Sequence, residues 1–224
     1  MKSNTNYNTA LAVGIDIGGT NTVFGLVDHM GNCVSHDSIK TSHFQLVEDF
    51  VDAVCLKLNK LITDQTNVKI IGVGIGAPNG NYFTGNIEFA PNLNWKGIIP
   101  LSKLFEERLN IPTTLTNDAN AAALGEKHFG IAKDMEDFVV ITLGTGLGSG
   151  IFCGGRLLYG HDGFAGEMGH ICIEVDGRLC NCGNKGCLEA YASAGGIKKT
   201  IKNLLLEYPD SEFLKSLDGD KVDG

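Results

Sequence analysis

The sequence predicts an α/β protein built from two related lobes. Segments with the spacing of strands alternate along the chain with segments whose apolar residues recur at helical spacing. A strand, a turn containing a Gly-Thr pair and a second strand also occur twice, with the pairs at 19–20 and 144–145. Two unrelated antiparallel hairpins would give the same pattern. We place the change of lobe near residue 115, with an N-terminal lobe in residues 1–115 and part of a C-terminal lobe in 116–224.

The first half of the chain predicts a strand meander followed by a crossover helix. Residues 11–17, 22–27 and 33–39 are short apolar runs separated by turn residues, which indicates three antiparallel strands. From Phe44 onwards, apolar residues share one helical face over about five turns. The buried strand predicted at 69–78 should join the first sheet in parallel, because a helix precedes it.

The following segments continue the alternation. A short helix is predicted at 101–109, a strand at 113–117, and an alanine-rich helix that ends at Gly130. Residues 138–160 then repeat the order of strand, glycine turn and strand.

Composition and charge exclude several classes of function. The net charge is −8 and Lys and Arg are scattered, which gives no support for nucleic-acid binding. The polar N-terminal segment is followed by an apolar run that is too short for a signal peptide and contains Asp16. No apolar run approaches the roughly 18 residues that a membrane helix needs. We therefore expect a cytoplasmic protein with no nucleic-acid or membrane partner.

The first glycine turn is predicted to bind phosphate. Gly18 and Gly19 allow backbone N–H groups to approach a ligand and allow a positive φ. Thr20 and Asn21 add side-chain hydrogen bonds to the same turn. Asp16 ends the preceding strand, where a carboxylate would hold Mg²⁺ through water.

The second turn has the same composition at Gly144, Thr145 and Gly146. Two facing hairpins of this kind would hold a polyphosphate from both sides of a cleft. Tight hairpins that bind nothing have the same composition, so this alternative stays open.

Carboxylates in three segments predict a site for a hydroxylated substrate. Asp118 would be a general base that takes a proton from a substrate hydroxyl, with Asn117 positioning that substrate. Both residues would equally serve as caps of the following helix. Glu167, His170 and Glu189 would hold further hydroxyl groups, although a solvated surface glutamate is the alternative for each acid.

A cysteine cluster predicts a structural zinc site. His170, Cys180, Cys182 and Cys187 supply one nitrogen and three sulfurs, the donor set of a closed tetrahedral zinc centre. Two glycines between the last two cysteines let a short loop bend around the ion. The imidazole could bind zinc through one nitrogen and donate its other N–H to a sugar. Reduced free thiols are the alternative in a reducing compartment.

With these residues assembled, the chain resembles the ROK family (repressor, open reading frame, kinase) and is similar to its bacterial glucokinases. The resemblance extends from residue 11 to about 200 and rests on five motifs: DIGGTNTVFGLVD, NDANAAALGE, LGTGLGSGI, GFAGEMGH and CNCGNKGCLEAYAS. It implies an actin-like, ribonuclease H-like fold of two lobes with mixed sheets, the zinc set given above and ATP as co-substrate. It also implies a homodimer.

The resemblance implies site residues as well. Asp118 would be the catalytic base. The implied sugar contacts are Asn117, Glu167, His170, Glu189 and Gly80. Asn79 and Asn92 lie in loops that also approach the sugar in the family.

Two departures refine the expected function. Family repressors carry a DNA-binding segment before the first hairpin, whereas ten residues precede Leu11 here, which favours a kinase. Family kinases continue beyond the equivalent of Gly224, so we expect a truncated chain with an incomplete second lobe and reduced or absent turnover.

We therefore expect ATP-dependent phosphorylation of the 6-hydroxyl of a hexose, with glucose as the first choice. N-acetylmannosamine, N-acetylglucosamine, allose and fructose are alternative substrates, and polyphosphate is an alternative donor. A non-catalytic sugar-binding regulator of the same family is the rival function, and a zinc-stabilised interaction domain is the third.

Overall fold

The computed structural model describes residues 9–217. The predicted lobe ranges extend at both ends into residues that lie outside this part of the chain. The strands are β1 Thr9–Ile17, β2 Thr22–Val27, β3 Cys33–Ile39, β4 Val68–Ala77, β5 Gly80–Asn81, β6 Asn86–Glu88, β7 Ile98–Ile99, β8 Thr113–Asn117, β9 Phe138–Leu143, β10 Leu147–Cys153 and β11 Arg156–Leu157. The helices are α1 Val47–Thr63, α2 Leu101–Leu109, α3 Asp118–Phe129, α4 Glu189–Ala192, α5 Ala194–Glu207 and α6 Glu212–Ser216.

Contacts within the chain divide it into two compact units. The first contains the residues through Met135 together with Tyr159–Phe164, and the second contains Glu136–Leu158 and the residues from Ala165 onwards. The sequence places the change near residue 115 instead. The difference arises because α3 packs against β4 and β8 and therefore belongs to the first unit.

The first unit is organised around a five-stranded mixed sheet in the order β3-β2-β1-β4-β8. β1 pairs antiparallel with β2, and β2 with β3, which confirms the predicted meander. β1 pairs in parallel with β4, and β4 in parallel with β8. The parallel pair β1–β4 follows from the crossover helix α1, whose length lets the chain return to the same end of the sheet.

The two faces of β1 have different roles. Leu11, Val13, Ile15 and Ile17 alternate along the strand and are buried in one apolar cluster with the inner face of α1. The opposite face carries Gly14 and Asp16. This face borders a cavity that Gly14 and Asp16 line.

A second, three-stranded sheet of the first unit has the order β5-β6-β7 and was not predicted. Its strands are two or three residues long, too short for an alternating pattern to be visible. Gly80 lies in β5, where a Cβ would be 2.4 Å from the carbonyl oxygen of Thr116. Only glycine therefore lets this strand lie against the end of β8.

The second unit contains the sheet β11-β10-β9 and helices α4 to α6. The predicted second hairpin is confirmed as the antiparallel pair of β9 and β10. α4 to α6 were not predicted, because α4 has a single turn and α5 begins with the weak helix formers Gly195 and Gly196. Across residues 9–217, no helix combines the length and apolar character needed to cross a bilayer.

Candidate functional site

The first glycine turn connects β1 to β2 and packs tightly on a neighbouring loop. The Gly18 N–H donates to the Asn21 carbonyl oxygen at 2.9 Å. Neither Gly18 nor Gly19 has a positive φ, so that part of the prediction is wrong. Glycine is needed at position 19 for close approach instead, since a Cβ there would lie 2.6 Å from the carbonyl oxygen of Asn92. Thr20 and Asn21 are exposed on this turn.

Two carboxylates of the first unit line the same cavity of about 740 Å³. Asp16 lies near the end of β1, and Asp118 is the first residue of α3, directly after β8. β4 lies between these strands, with Asp16 opposite Gly76 and Gly76 opposite Thr116. The carboxyl ends of three parallel strands thus bring the two acids to one edge of the sheet, the usual position of a ligand site in an α/β protein.

Desolvation by the surrounding protein, and to a lesser extent the negative charge of Asp118, raises the pKa of Asp16. A carboxyl group whose ionised form is disfavoured by burial and by a neighbouring negative charge favours a bound cation. The charge of the pair is therefore suited to the hard cation predicted for Asp16.

Glycine residues of the central strands form part of the floor of this cavity. Gly14 is paired with Gly25 on one side and with Gly74 on the other. A Cβ added to Gly74 would meet no atom within 4 Å. The cavity therefore extends from Asp16 and Asp118 over Gly14, Gly25 and Gly74.

The junction between β8 and α3 fixes Asn117 and Asp118. Asn117 is the N-cap residue, and its side-chain oxygen accepts a hydrogen bond from the Ala119 N–H at 2.8 Å. The same N–H is 2.8 Å from Oδ1 of Asp118. Capping thus accounts for Asn117, whereas Asp118 is exposed on the cavity wall at the positive end of the helix dipole.

Two tyrosines line the same cavity and were missed by sequence reasoning. Tyr82 and Tyr159 stack with ring centroids 4.3 Å apart and an interplanar angle of 11°. The Asn81 side chain holds this arrangement, because its Nδ2 donates to the Asp162 carbonyl oxygen at 2.8 Å. The residues are far apart in the sequence, so no local pattern indicates the contact. Near them, the predicted sugar-loop residue Asn79 donates to the Glu88 carbonyl oxygen at 2.9 Å.

In the second unit, the second glycine turn is attached to the helical segment. A Cβ at Gly146 would lie 2.5 Å from Oε2 of Glu189. That oxygen accepts a hydrogen bond from the Leu147 N–H at 2.9 Å. The Gly144 carbonyl oxygen accepts from the Ala194 N–H at 3.0 Å, while Thr145 is exposed. Glycine is therefore needed at position 146, because the Glu189 carboxylate of α4 lies directly against it, whereas a Cβ at Gly144 would meet no atom within 4 Å.

Glu189 is held at two points. Its Oε2 binds the Leu147 N–H as described, and its Oε1 accepts from the Cys180 thiol at 3.6 Å. The side chain is half-buried, so the alternative of a solvated surface glutamate is wrong for this residue.

Glu167 precedes the 3-10 turn Met168–His170, and its own carbonyl oxygen accepts from the His170 N–H at 3.1 Å. A Cβ at Gly169 would lie 2.3 Å from the Leu147 carbonyl oxygen, so the turn lies close to β10. The glycines of this motif thereby place Glu167 and His170 beside the second hairpin.

The predicted zinc ligands converge in the structure. The ligand atoms of His170, Cys180, Cys182 and Cys187 all lie within 4.8 Å of one another. The Cys182 and Cys187 sulfurs are 3.7 Å apart, and the Cys180 sulfur is 3.8 Å from Nδ1 of His170. Zn–S bonds of about 2.3 Å in a tetrahedron place two sulfurs about 3.8 Å apart, so the donor set fits zinc.

The thiols of this cluster differ in acidity. Burial raises the pKa of Cys180 to about 12, whereas a hydrogen bond from the Asn184 backbone lowers the pKa of Cys182. A thiol of high pKa binds a metal only when it releases its proton to solvent, because the ligand is the thiolate. Since Nδ1 of His170 faces the sulfurs, Nε2 is the nitrogen directed away from them.

Comparison with known proteins identifies the family. A family model described as the ROK family matches residues 12–222. The chain belongs to the ROK family. A glucokinase of Streptomyces coelicolor is 40% identical over 216 residues, which are 96% of this chain and 66% of that protein. A xylose repressor of Bacillus subtilis is 34% identical over 209 residues, which are 92% of this chain and 54% of that protein.

Solved ROK structures confirm the predicted fold. A ROK family glucokinase from Streptomyces griseus, in complex with glucose and AMPPNP, gives a TM-score of 0.75 at 39% identity, with 89% of this chain and 62% of that chain covered. A ROK hexokinase from Thermus thermophilus gives 0.76 at 30% identity, with 92% and 72% covered. The ROK chain described here therefore has the mixed α/β architecture of the actin-like ATPase fold. It spans about two-thirds of the length of the glucokinases that it matches.

Proposed function

We propose that this ROK protein takes part in ATP-dependent phosphorylation of the 6-hydroxyl of a hexose, with glucose as the first candidate. The observation that supports this most directly is the position of Asp118, exposed in a cavity at the carboxyl ends of parallel strands, with Asp16 in the same wall. The similarity to glucokinases, one of them solved with glucose and an ATP analogue, supports the same reaction.

Asp118 would act as the general base. Its carboxylate accepts the proton of the sugar 6-hydroxyl while that oxygen forms a bond to the γ-phosphorus and the bond from this phosphorus to the ADP oxygen breaks. Asp118 is the first residue of α3, so its carboxylate lies at the positive end of the helix dipole. The hydrogen bond from Ala119 orients one carboxylate oxygen, and the other oxygen remains as the proton acceptor.

The first turn and Asp16 would serve the phosphates. Exposed Thr20 and Asn21 provide side-chain donors, and Asp16 provides the hard oxygen ligand that Mg²⁺ prefers. When bound, Mg²⁺ neutralises charge on the polyphosphate. The second turn, with exposed Thr145 between Gly144 and Gly146, would contact the same polyphosphate.

Sugar hydroxyl groups would be bound by Glu167, His170 and Glu189, together with Asn117 and the loop at Gly80. Carboxylate oxygens have several lone-pair sites, so Glu189 can accept from a sugar hydroxyl in addition to the Leu147 N–H. His170 would donate from Nε2 while Nδ1 faces the metal.

The cluster of His170 and three cysteines would hold zinc in a structural role. Four protein ligands leave no open coordination position, so the ion supplies rigidity to the loop and no reaction step. Rigidity matters here because the loop ends directly before Glu189.

A coupled assay of ADP release over a panel of sugars tests this function. The complete protein should release ADP with Mg²⁺-ATP and glucose, and the same assay with N-acetylmannosamine, N-acetylglucosamine, allose and fructose ranks the substrates. A parallel assay with polyphosphate tests the donor. Sugar-dependent heat in calorimetry without ADP release from any sugar would reject the kinase and leave a sugar-binding regulator.

The regulator is the second candidate because the ROK relatives include xylose repressors, one of them matched over 92% of this chain. Xylose has no 6-hydroxyl, so a preference for xylose over glucose in calorimetry would favour this alternative directly.

A further inference from the structure

Arg178 lies in the loop between the zinc ligands His170 and Cys180 and contacts the helical segment that follows the cluster. Its Nη1 atom is 2.8 Å from Oγ1 of Thr200, 3.0 Å from the Gly196 carbonyl oxygen and 3.3 Å from the Ala190 carbonyl oxygen. One guanidinium group thus joins the loop to both α4 and α5. Sequence reasoning missed it, because a single arginine in a loop has no periodicity or motif.

Tyr191 strengthens the same connection. The Arg178 guanidinium carbon lies 4.5 Å from the centre of the Tyr191 ring, within the range of a cation–π contact. The Tyr191 hydroxyl accepts from the backbone N–H of Arg178 at 2.8 Å and donates to the Glu174 carboxylate. A Cβ at Gly177 would lie 2.2 Å from that hydroxyl, so the loop comes close to the ring because this residue is glycine.

These contacts bear on Glu189, the first residue of α4. An isolated helix of four residues is unstable, so α4 keeps its position only through contacts to its surroundings. Arg178 binds the carbonyl group of Ala190, the next residue, and lies two residues before Cys180, whose thiol contacts the Glu189 carboxylate. The arginine therefore anchors both the backbone that carries Glu189 and the loop that contacts its side chain.

We infer that Arg178 is a positioning residue that keeps the Glu189 carboxylate against the Leu147 N–H of the second hairpin. Its importance for sugar binding rests on the function proposed above, whereas its effect on the Glu189–Leu147 hydrogen bond does not. Zinc binding by His170 and the three cysteines holds one end of the loop. Arg178 fixes the orientation of that loop relative to α4 and α5.

The direct test is amide hydrogen exchange at Leu147 and Ala194 in the zinc-loaded protein. Arg178→Met removes the guanidinium contacts to α4 and α5 and should speed exchange at both amides by about tenfold, because a charge-assisted network holds the segment. Lys185→Met is the matched control. It removes a cation from the neighbouring segment between Cys182 and Cys187, and its Nζ lies 3.9 Å from Asp176, with both side chains largely exposed. Exchange should be unchanged in the control.

Glucose affinity is the second readout. Calorimetry should show glucose binding weakened about tenfold in Arg178→Met at unchanged zinc content, with ATP binding as in the wild type. In the Glu189→Gln background, the same change should have little further effect, because both act through one carboxylate. Arg178→Lys keeps the charge but lacks the planar fork, so it should restore only part of the affinity.

Wild-type exchange at Leu147 and Ala194 together with wild-type glucose affinity in Arg178→Met would overturn the inference, whatever happens to the melting temperature. If that variant does not fold, Arg178→Lys and Thr200→Val replace it, with smaller changes in the same direction. If the wild type binds none of the sugars, the proposed function fails, and the exchange rates alone decide the role of Arg178.

Discussion

The two acidic residues Asp118 and Glu189 show how different surroundings give one chemical group different roles. Asp118 is exposed in a cavity, and one of its oxygens accepts a single backbone hydrogen bond. Glu189 is half-buried, and its two oxygens contact the second hairpin and a cysteine of the metal cluster. A carboxylate that exchanges protons needs access, whereas one that orients a substrate needs fixed partners. We therefore propose proton transfer for Asp118 and substrate positioning for Glu189.

The largest expected effect comes from Asp118→Asn. The amide cannot accept the hydroxyl proton, so kcat should fall by about a thousandfold, within the range for loss of a general base. Steady-state ADP release measures this. Glu126→Gln is the control, because it removes an acid from the same helix α3 and should leave kcat unchanged. A loss of less than tenfold in Asp118→Asn would assign the base to another residue.

The next effect is expected from loss of the metal. Cys187→Ser should weaken glucose binding by about tenfold to a hundredfold, because loss of groups that support a metal-ordered site has effects of this size. Metal content and calorimetry measure the two properties together. Cys153→Ser is the control, since Cys153 is an exposed cysteine of the same unit at the end of β10. Unchanged glucose affinity in the metal-free protein would show that the metal cluster does not influence the substrate site.

A smaller effect is expected from Glu189→Gln. The substitution keeps the size of the side chain and an acceptor for Leu147, but it removes the charge. The KM for glucose should rise by about tenfold while kcat stays within about twofold of the wild type, the signature of lost uniform binding. A fall in kcat equal to the fall in kcat/KM would instead give Glu189 a role in the transition state.

The smallest effect is a pH dependence of stability at Asp16. Its pKa is raised in the folded protein, so its contribution to stability is complete below the unfolded value of about 4 and is lost as the pH rises through the folded value. Asp16→Asn cannot ionise, so its melting temperature should exceed that of the wild type at neutral pH, and the difference should vanish in acid.

Asp37→Asn is the opposite case. A hydrogen bond from Lys57 lowers the pKa of Asp37, so this substitution should lower the melting temperature at neutral pH and have no effect in acid. Thermal unfolding from about pH 3 to pH 8 compares both variants. A change of melting temperature in the same direction for both variants at neutral pH would contradict the directions given for the two pKa shifts.

Sequence reasoning succeeded where a pattern is local. The period of β1 to β3 and α1 is visible in the residues themselves, and the spacing of the cysteines predicts that their sulfurs converge. The glycine turns were located correctly, but the positive φ predicted for Gly18 and Gly19 is wrong. Gly19 and Gly146 allow close approach to Asn92 and Glu189, and these neighbours are distant in the sequence.

The remaining features depend on tertiary contacts. β5 to β7 are too short to show a period, and α4 is a single turn whose Ala190 carbonyl oxygen and Tyr191 hydroxyl accept hydrogen bonds from Arg178. The predicted opposition of the two hairpins and the roles of the individual site residues stay predictions.

The division of roles between Asp118 and Glu189 is tested most directly with the variants Asp118→Asn and Glu189→Gln. The two measurements are glucose affinity and the single-turnover rate of phosphoryl transfer. With glucose and ATP saturating, Asp118→Asn should bind glucose like the wild type and transfer phosphate about a thousandfold more slowly. Glu189→Gln should transfer at close to the wild-type rate but bind glucose about tenfold more weakly. Equal rates in the wild type and Asp118→Asn, or unchanged glucose affinity in Glu189→Gln, would contradict the assignment.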